Sequence, residues 1–226
     1  MDISVIFVVL VAAFLHALWN FQVRGTEDKA LGMAAVMFGH IPLAIIGLAF
    51  VGLPVSGSWP YVIASAVLHL GYQVFLLNAY RFGELTQIYP VARGASPLLI
   101  TLFTMMTVPG VLQTMEVIGV IMISGAISTY GIAQYRTKSV GFTGIILAVI
   151  TGFFIASYSI VDAEGTRIAK SAISYYGAST TANAVLFALY LLWFQPTVFG
   201  RIHRDALSTF IIGGNASYFA YVAVLW

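Results

Sequence analysis

The sequence predicts an all-α polytopic membrane protein with eight transmembrane helices. Three observations carry that prediction. Hydrophobic residues make up 60% of the 226 and charged residues only 8%, where soluble domains carry about 25% charged residues. The mean hydropathy is +0.95. The few charges punctuate long apolar runs: 51 residues from Ala30 to Tyr80 hold no Asp, Glu, Lys or Arg, and about 20 apolar residues suffice to cross a bilayer.

The spans follow in chain order. The first, 3–23, is 21 residues without formal charge and begins directly after Asp2, with no basic region before it. It is longer than a signal-peptide core and reads as a retained span. Spans at 30–52 and 60–80 are separated by the turn-rich stretch from Gly52 to Pro60, which is long enough to hold the helices apart. Trp59 and Tyr61 suit a membrane interface there, as Trp193 and Trp226 do elsewhere. Spans at 84–107, 113–132, 141–161, 173–194 and 207–226 complete the set. The 21 glycines let helices approach closely in lipid.

Basic residues set the orientation. Arg24, Lys29, Arg81, Arg136, Lys138, Arg201 and Arg204 follow the odd-numbered spans, whereas only Arg167 and Lys170 follow the even-numbered ones. The positive-inside rule places the richer set in the cytoplasm and the N-terminus outside.

An internal repeat is visible. Residues 141–162 resemble 2–23 in hydropathy, and Trp19-Asn20 aligns with Tyr158-Ser159. A unit that restarts after five helices inserts with inverted topology, a feature of secondary transporters. The chain then divides into a first repeat, 1–135, and an incomplete second repeat, 139–226. Two complete inverted units need ten helices, so two more are expected beyond Trp226.

Whole classes of function are excluded. The absence of cysteine removes disulfides, thiolate metal sites and cysteine nucleophiles. A net charge of +2, scattered along the chain, gives no nucleic-acid footprint. No nucleotide loop, nucleophile elbow, metal-binding cluster or carboxylate pair stands in a convincing context. The expectation is no enzyme and no cofactor. The partners are the lipid bilayer and a small-molecule substrate, and these residues leave the oligomeric state open.

Arg93 is the most informative residue. It stands between Pro90 and Pro97 in Tyr89-Pro-Val-Ala-Arg93-Gly-Ala-Ser-Pro97. A guanidinium in hydrocarbon costs at least about 2.5–3.5 kcal/mol, and each proline frees a helix carbonyl. Such a segment is tolerated only against protein or a cavity. Arg93 anchors an anionic or zwitterionic group, or else pins the scaffold through Glu84, Asp162 or freed carbonyls. Tyr89, four residues earlier on the same face, can share the ligand. His16, Trp19 and Asn20 form a polar stripe on the first span, and His69 and Gln73, with Tyr72, form another on the third. Each stripe reads as a cavity wall or as interhelical hydrogen bonding. His16, His69 and Asp162 are the candidates for proton coupling. Glu164 and Arg167 read as solvated charges at a helix end, with Asp162 just inside it. His40, beside Gly39 and Pro42, reads as tight packing.

These stretches resemble the drug/metabolite transporter superfamily, specifically its EamA-like ten-helix permeases. The resemblance rests on His16-Ala-Leu-Trp19-Asn20 and Gly83-Glu84-Leu-Thr-Gln87-Ile-Tyr89-Pro90-Val-Ala-Arg93-Gly94-Ala-Ser-Pro97, and more loosely on Tyr158 to Asp162 and Tyr218 to Trp226. Where the family often has Gly-Glu-Arg, this chain reads Pro109-Gly110-Val111. The resemblance implies a secondary transporter of a small metabolite or drug-like solute in a bacterial inner membrane. Alternating access and export come with it, driven by a proton or substrate gradient. It places substrate at mid-membrane near Arg93, Tyr89, Trp19, His16, Asn20, His69 and Gln73. The rival readings are a non-transporting membrane scaffold or regulator, and an intramembrane enzyme, for which no paired nucleophile and base is visible.

Overall fold

The computed structural model describes residues 3–107, 112–137 and 140–225. The expected departure at Pro109-Gly110-Val111, and Asp2, Lys138 and Trp226, lie outside the described residues. Among the described residues there are helices and no strand. In chain order they are α1 (Ile3–Gly25), α2 (Lys29–Gly39), α3 (Ile41–Val51), α4 (Trp59–Ala79) and α5 (Leu85–Thr107). Then come α6 (Thr114–Arg136), α7 (Phe142–Ala169), α8 (Ala172–Phe194), α9 (Val198–Asp205) and α10 (Gly214–Leu225). A short 3-10 turn, Ser56–Ser58, leads into α4, and a π-helical turn, Thr209–Gly213, leads into α10.

Each predicted span falls on helix, but fewer than eight qualify as membrane spans. Among the described residues six helical segments are long and apolar enough to cross, or seven if one bent pair counts once. These fit a multi-pass membrane protein. The second predicted span is α2 and α3 taken together, interrupted at His40. The last is the segment from Thr209 to Leu225, bent by 97° from α9. Helix α5 has the length, at 23 residues, but is absent from the qualifying set. Arg93, Gln87 and its two internal prolines dilute its apolar character.

Local signals explain the helix starts. The Asp28 carboxylate caps α2, accepting from the N–H groups of Ala30 and Leu31 at 3.0 and 3.2 Å. Its other oxygen takes a 2.6 Å ion pair from Arg201 on α9. Gln113 and Glu116 form a reciprocal capping box on α6. At the α7–α8 corner Lys170 adopts a left-handed conformation, φ 57°. Ser171 then caps α8 through the Ser174 N–H at 3.2 Å.

Packing divides the chain into two compact units: a terminal unit, Met1–Val67 with Val161–Trp226, and a central unit, Leu68–Ile160. Packing thus joins helices that are remote in sequence, a division of another kind from the repeat halves 1–135 and 139–226. In the terminal unit α2 and the π-turn/α10 segment meet at two glycines. A Cβ on Gly214 would lie 2.6 Å from Gly39 Cα, so neither position has room for a side chain. Beside them the hydroxyls of Thr26 and Thr209 lie 3.2 Å apart. In the central unit α5 packs on α6 at Gly94, under Ile127, and on α7 at Gly152, whose added Cβ would lie 2.7 Å from the Ala92 carbonyl oxygen. Phe7, Phe14 and Phe21 of α1 recur every seven residues and are exposed, as a lipid-facing stripe is.

Candidate functional site

The central unit positions Arg93 by repairing the helix that carries it. At the start of α5 the Glu84 N–H donates to Gln87 Oε1 at 2.9 Å, so Gln87 closes half of a capping box. Pro90 has no N–H to give the Thr86 carbonyl, and the Tyr130 hydroxyl of α6 donates to that oxygen at 2.9 Å. Pro97 likewise frees the Arg93 carbonyl, which accepts from the Ser96 hydroxyl at 3.1 Å. An unsatisfied carbonyl costs several kcal/mol in hydrocarbon. Both freed carbonyls are therefore answered by hydroxyls, and α5 stays continuous through two prolines.

An aromatic cluster surrounds the guanidinium. Arg93 Cζ lies 5.9 Å from the Tyr89 ring centroid, the one-turn contact that the sequence spacing predicts. Tyr72 of α4 lies within electrostatic reach of Tyr89, Arg93, Tyr80 and Tyr158. Tyr80 lies near Tyr89 in turn. The His69 ring stacks on Tyr158 of α7 with centroids 3.9 Å apart and planes 18° apart. Tyr72 meets the same Tyr158 ring edge-on at 5.8 Å. Gln73, one turn from His69, is buried. Gly71 leaves the space that the Phe154 ring fills, which brings α4 and α7 close enough for the stack.

Four of the predicted substrate-site residues, Arg93, Tyr89, His69 and Gln73, thus belong to one unit. Chemically the cluster offers a planar cation for a carboxylate or phosphate, phenolic hydroxyls to share it, and ring faces for an apolar body. Sequence reading missed the ring contacts of Tyr158, noted as a repeat marker and in the looser part of the resemblance, and the place of Tyr80. The available signal is general: a tyrosine in an apolar span needs a partner for its hydroxyl.

The other candidates belong to the terminal unit. His16, Trp19 and Asn20 bond to one another along α1. The Trp19 indole N–H donates to His16 Nδ1 at 3.2 Å, and the rings meet edge-on with centroids 5.0 Å apart. The Asn20 amide donates to the His16 carbonyl at 2.8 Å, while its Oδ1 is enclosed without a partner.

Asp162 is not at a helix boundary. Helix α7 continues to Ala169, about two turns further, and Asp162 is wholly buried at 0% exposure. Its Oδ1 accepts from the Tyr175 hydroxyl at 2.9 Å, and its Oδ2 accepts from the Tyr221 hydroxyl. Glu164 and Arg167 do form an exposed ion pair at 3.2 Å. His40 is more than packing: buried at the break between α2 and α3, its Nδ1 lies 3.1 Å from Thr180 Oγ1 and 3.4 Å from the Tyr176 hydroxyl. Asn183 of α8 donates to the Ala66 carbonyl at 3.1 Å, an interhelical bond.

No protein-family model matches the chain, and no curated protein matches it. A solved crystal structure shares its fold, with a TM-score of 0.70 and 22% identity over 98% of this chain and 79% of that one. At that identity the likeness is one of fold.

Proposed function

We propose that this chain is a secondary transporter of the drug/metabolite type, moving a small anionic or zwitterionic solute across a cell membrane by alternating access. The carrying observation is the setting of Arg93. A permanent charge sits beside an aromatic ring on a helix whose proline-freed carbonyls are already answered by Tyr130 and Ser96. Intramembrane charges are rare and face cavities or pathways.

In this reading the Arg93 guanidinium binds the solute's carboxylate or phosphate bidentately, and Tyr89 and Tyr72 orient it. The His69–Tyr158 stack forms an aromatic wall. Gln73 adds to this polar lining, and the His16–Trp19–Asn20 stripe is a separate substrate contact within the terminal unit. The eight helical segments then act as eight spans of an EamA-like ten-helix plan, with the N-terminus outside a bacterial inner membrane. The driving force is a proton or solute gradient.

The test is uptake and efflux of a panel of carboxylates, phosphates and amino acids in proteoliposomes. Removing a hydrogen bond to a charged group costs about 1.5–3 kcal/mol, so Arg93→Ala is expected to weaken apparent solute affinity roughly 10- to 150-fold. Arg93→Lys keeps the charge without the planar fork and falls between. Unchanged transport of every anionic solute by both variants removes Arg93 as the anchor. No transport of any solute by the wild type favours the scaffold reading.

A further inference from the structure

We propose that Asp162 is a proton-binding site, in which Tyr175 switches its hydroxyl between two acceptors as the carboxylate is charged or neutral. The geometry provides both states. Asp162 is wholly buried in α7, and each of its oxygens faces one phenol, Tyr175 of α8 at Oδ1 and Tyr221 of α10 at Oδ2. The Tyr175 hydroxyl also lies 3.2 Å from the Tyr61 carbonyl of α4. One phenol carries one proton, so it serves one of these acceptors fully at a time.

With the carboxylate charged, Tyr175 and Tyr221 both donate to it. A proton arriving from water bonds to Oδ1, and the new O–H donates to the Tyr175 oxygen. The Tyr175 hydroxyl then turns to the Tyr61 carbonyl, and Tyr221 stays on Oδ2. Every donor and acceptor named keeps a partner in both states. This matters because an orphaned buried polar group is what makes most buried acids resist a change of charge.

The surroundings are shaped for this arrangement. Gly165, three residues after Asp162, leaves the space filled by the Tyr175 ring: an added Cβ would lie 2.7 Å from the Tyr175 oxygen. Ser65 of α4, also wholly buried, is the further hydroxyl beside Tyr175. On the other side Tyr221 stacks on Tyr176, with centroids 4.5 Å apart. Tyr176 in turn packs on Tyr218, with centroids 5.3 Å apart, and reaches buried His40 through its hydroxyl at 3.4 Å. Glu164 and Arg167, two and five residues along α7 from Asp162, are exposed and pair with each other.

Proton binding can be read without any solute, so the outcome is independent of what Arg93 binds. The purified chain in lipid nanodiscs is titrated between about pH 4 and 9, and infrared difference spectra follow the carbonyl stretch of a protonated carboxylic acid. The expected result is one titrating band in the wild type that is missing in Asp162→Asn. Tyr221→Phe removes a donor that holds the charged carboxylate more strongly than the neutral acid, so its midpoint rises by about one pH unit, a tenfold gain in proton affinity. Tyr175→Phe removes a partner of both forms and shifts the midpoint less. A wild-type band that does not titrate, or one that persists in Asp162→Asn, overturns the proposal. Should Asp162→Asn fail to fold, an unchanged midpoint in Tyr221→Phe overturns it equally.

Discussion

Arg93 and Asp162 are both ionisable groups carried in apolar helices, and the fold treats them in opposite ways. Asp162 is sealed: both oxygens take tyrosine hydroxyls from two other helices, and none of its surface is exposed. Arg93 is half-buried on a helix that two prolines interrupt, with the face of Tyr89 beside it. The hydroxyls of Ser96 and Tyr130 serve backbone carbonyls of that helix. On the reading proposed above, the sealed acid ties helices together and takes up protons, and the half-buried cation meets a solute.

That contrast can be broken by measurement. The largest effect on stability is expected at Asp162. Replacing it with Ala removes the acceptor that Tyr221 shares with Tyr175 and leaves Tyr175 the Tyr61 carbonyl, at about 1–3 kcal/mol for a lost hydrogen bond to a charged group, and thermal unfolding in detergent reads the loss. Asp162→Asn retains one carbonyl acceptor and is expected to lose less. An Asp162→Ala chain as stable as the wild type would show that the carboxylate holds nothing together.

Next in size is the glycine contact of α2 with α10. Gly214→Ala places a methyl against the Gly39 backbone, and overpacking of that kind costs about 1–3 kcal/mol. Gly119→Ala on α6, where an added Cβ meets nothing within 4 Å, is the matched control and is expected to leave the melting temperature unchanged. Smallest is Tyr130→Phe, which uncovers the Thr86 carbonyl behind Pro90. Single hydrogen bonds between membrane helices average about 0.6 kcal/mol, so a slight loss of stability is expected. Hydrogen exchange at the start of α5 should rise more visibly.

Much of this was legible from the sequence, and the limit has a physical origin. Apolar run length located the long helices, because crossing lipid demands it, and passed over the short, charged α9. The spacing of Tyr89 and Arg93, and of His16 and Trp19, placed each pair in contact along one helix, since those relations are local. What could not be read were partners on other helices. Nothing local announces that Tyr158 will lie on His69, or that Tyr221 and Tyr175 will meet at Asp162. The depth of Asp162 was misjudged because Glu164 and Arg167 look like a helix end, whereas α7 runs on to Ala169 with those two side chains in solvent. The break at His40 was hidden within an unbroken apolar run.

The central claim is that Arg93 binds a solute and does not pin the fold. It is tested most directly by measuring thermal stability and transport together for Arg93→Ala. Solute binding predicts a melting temperature close to that of the wild type, with transport of anionic solutes reduced roughly 10-fold or more. A collapse of stability with affinity unchanged in the surviving protein would contradict it and make the arginine a structural pin.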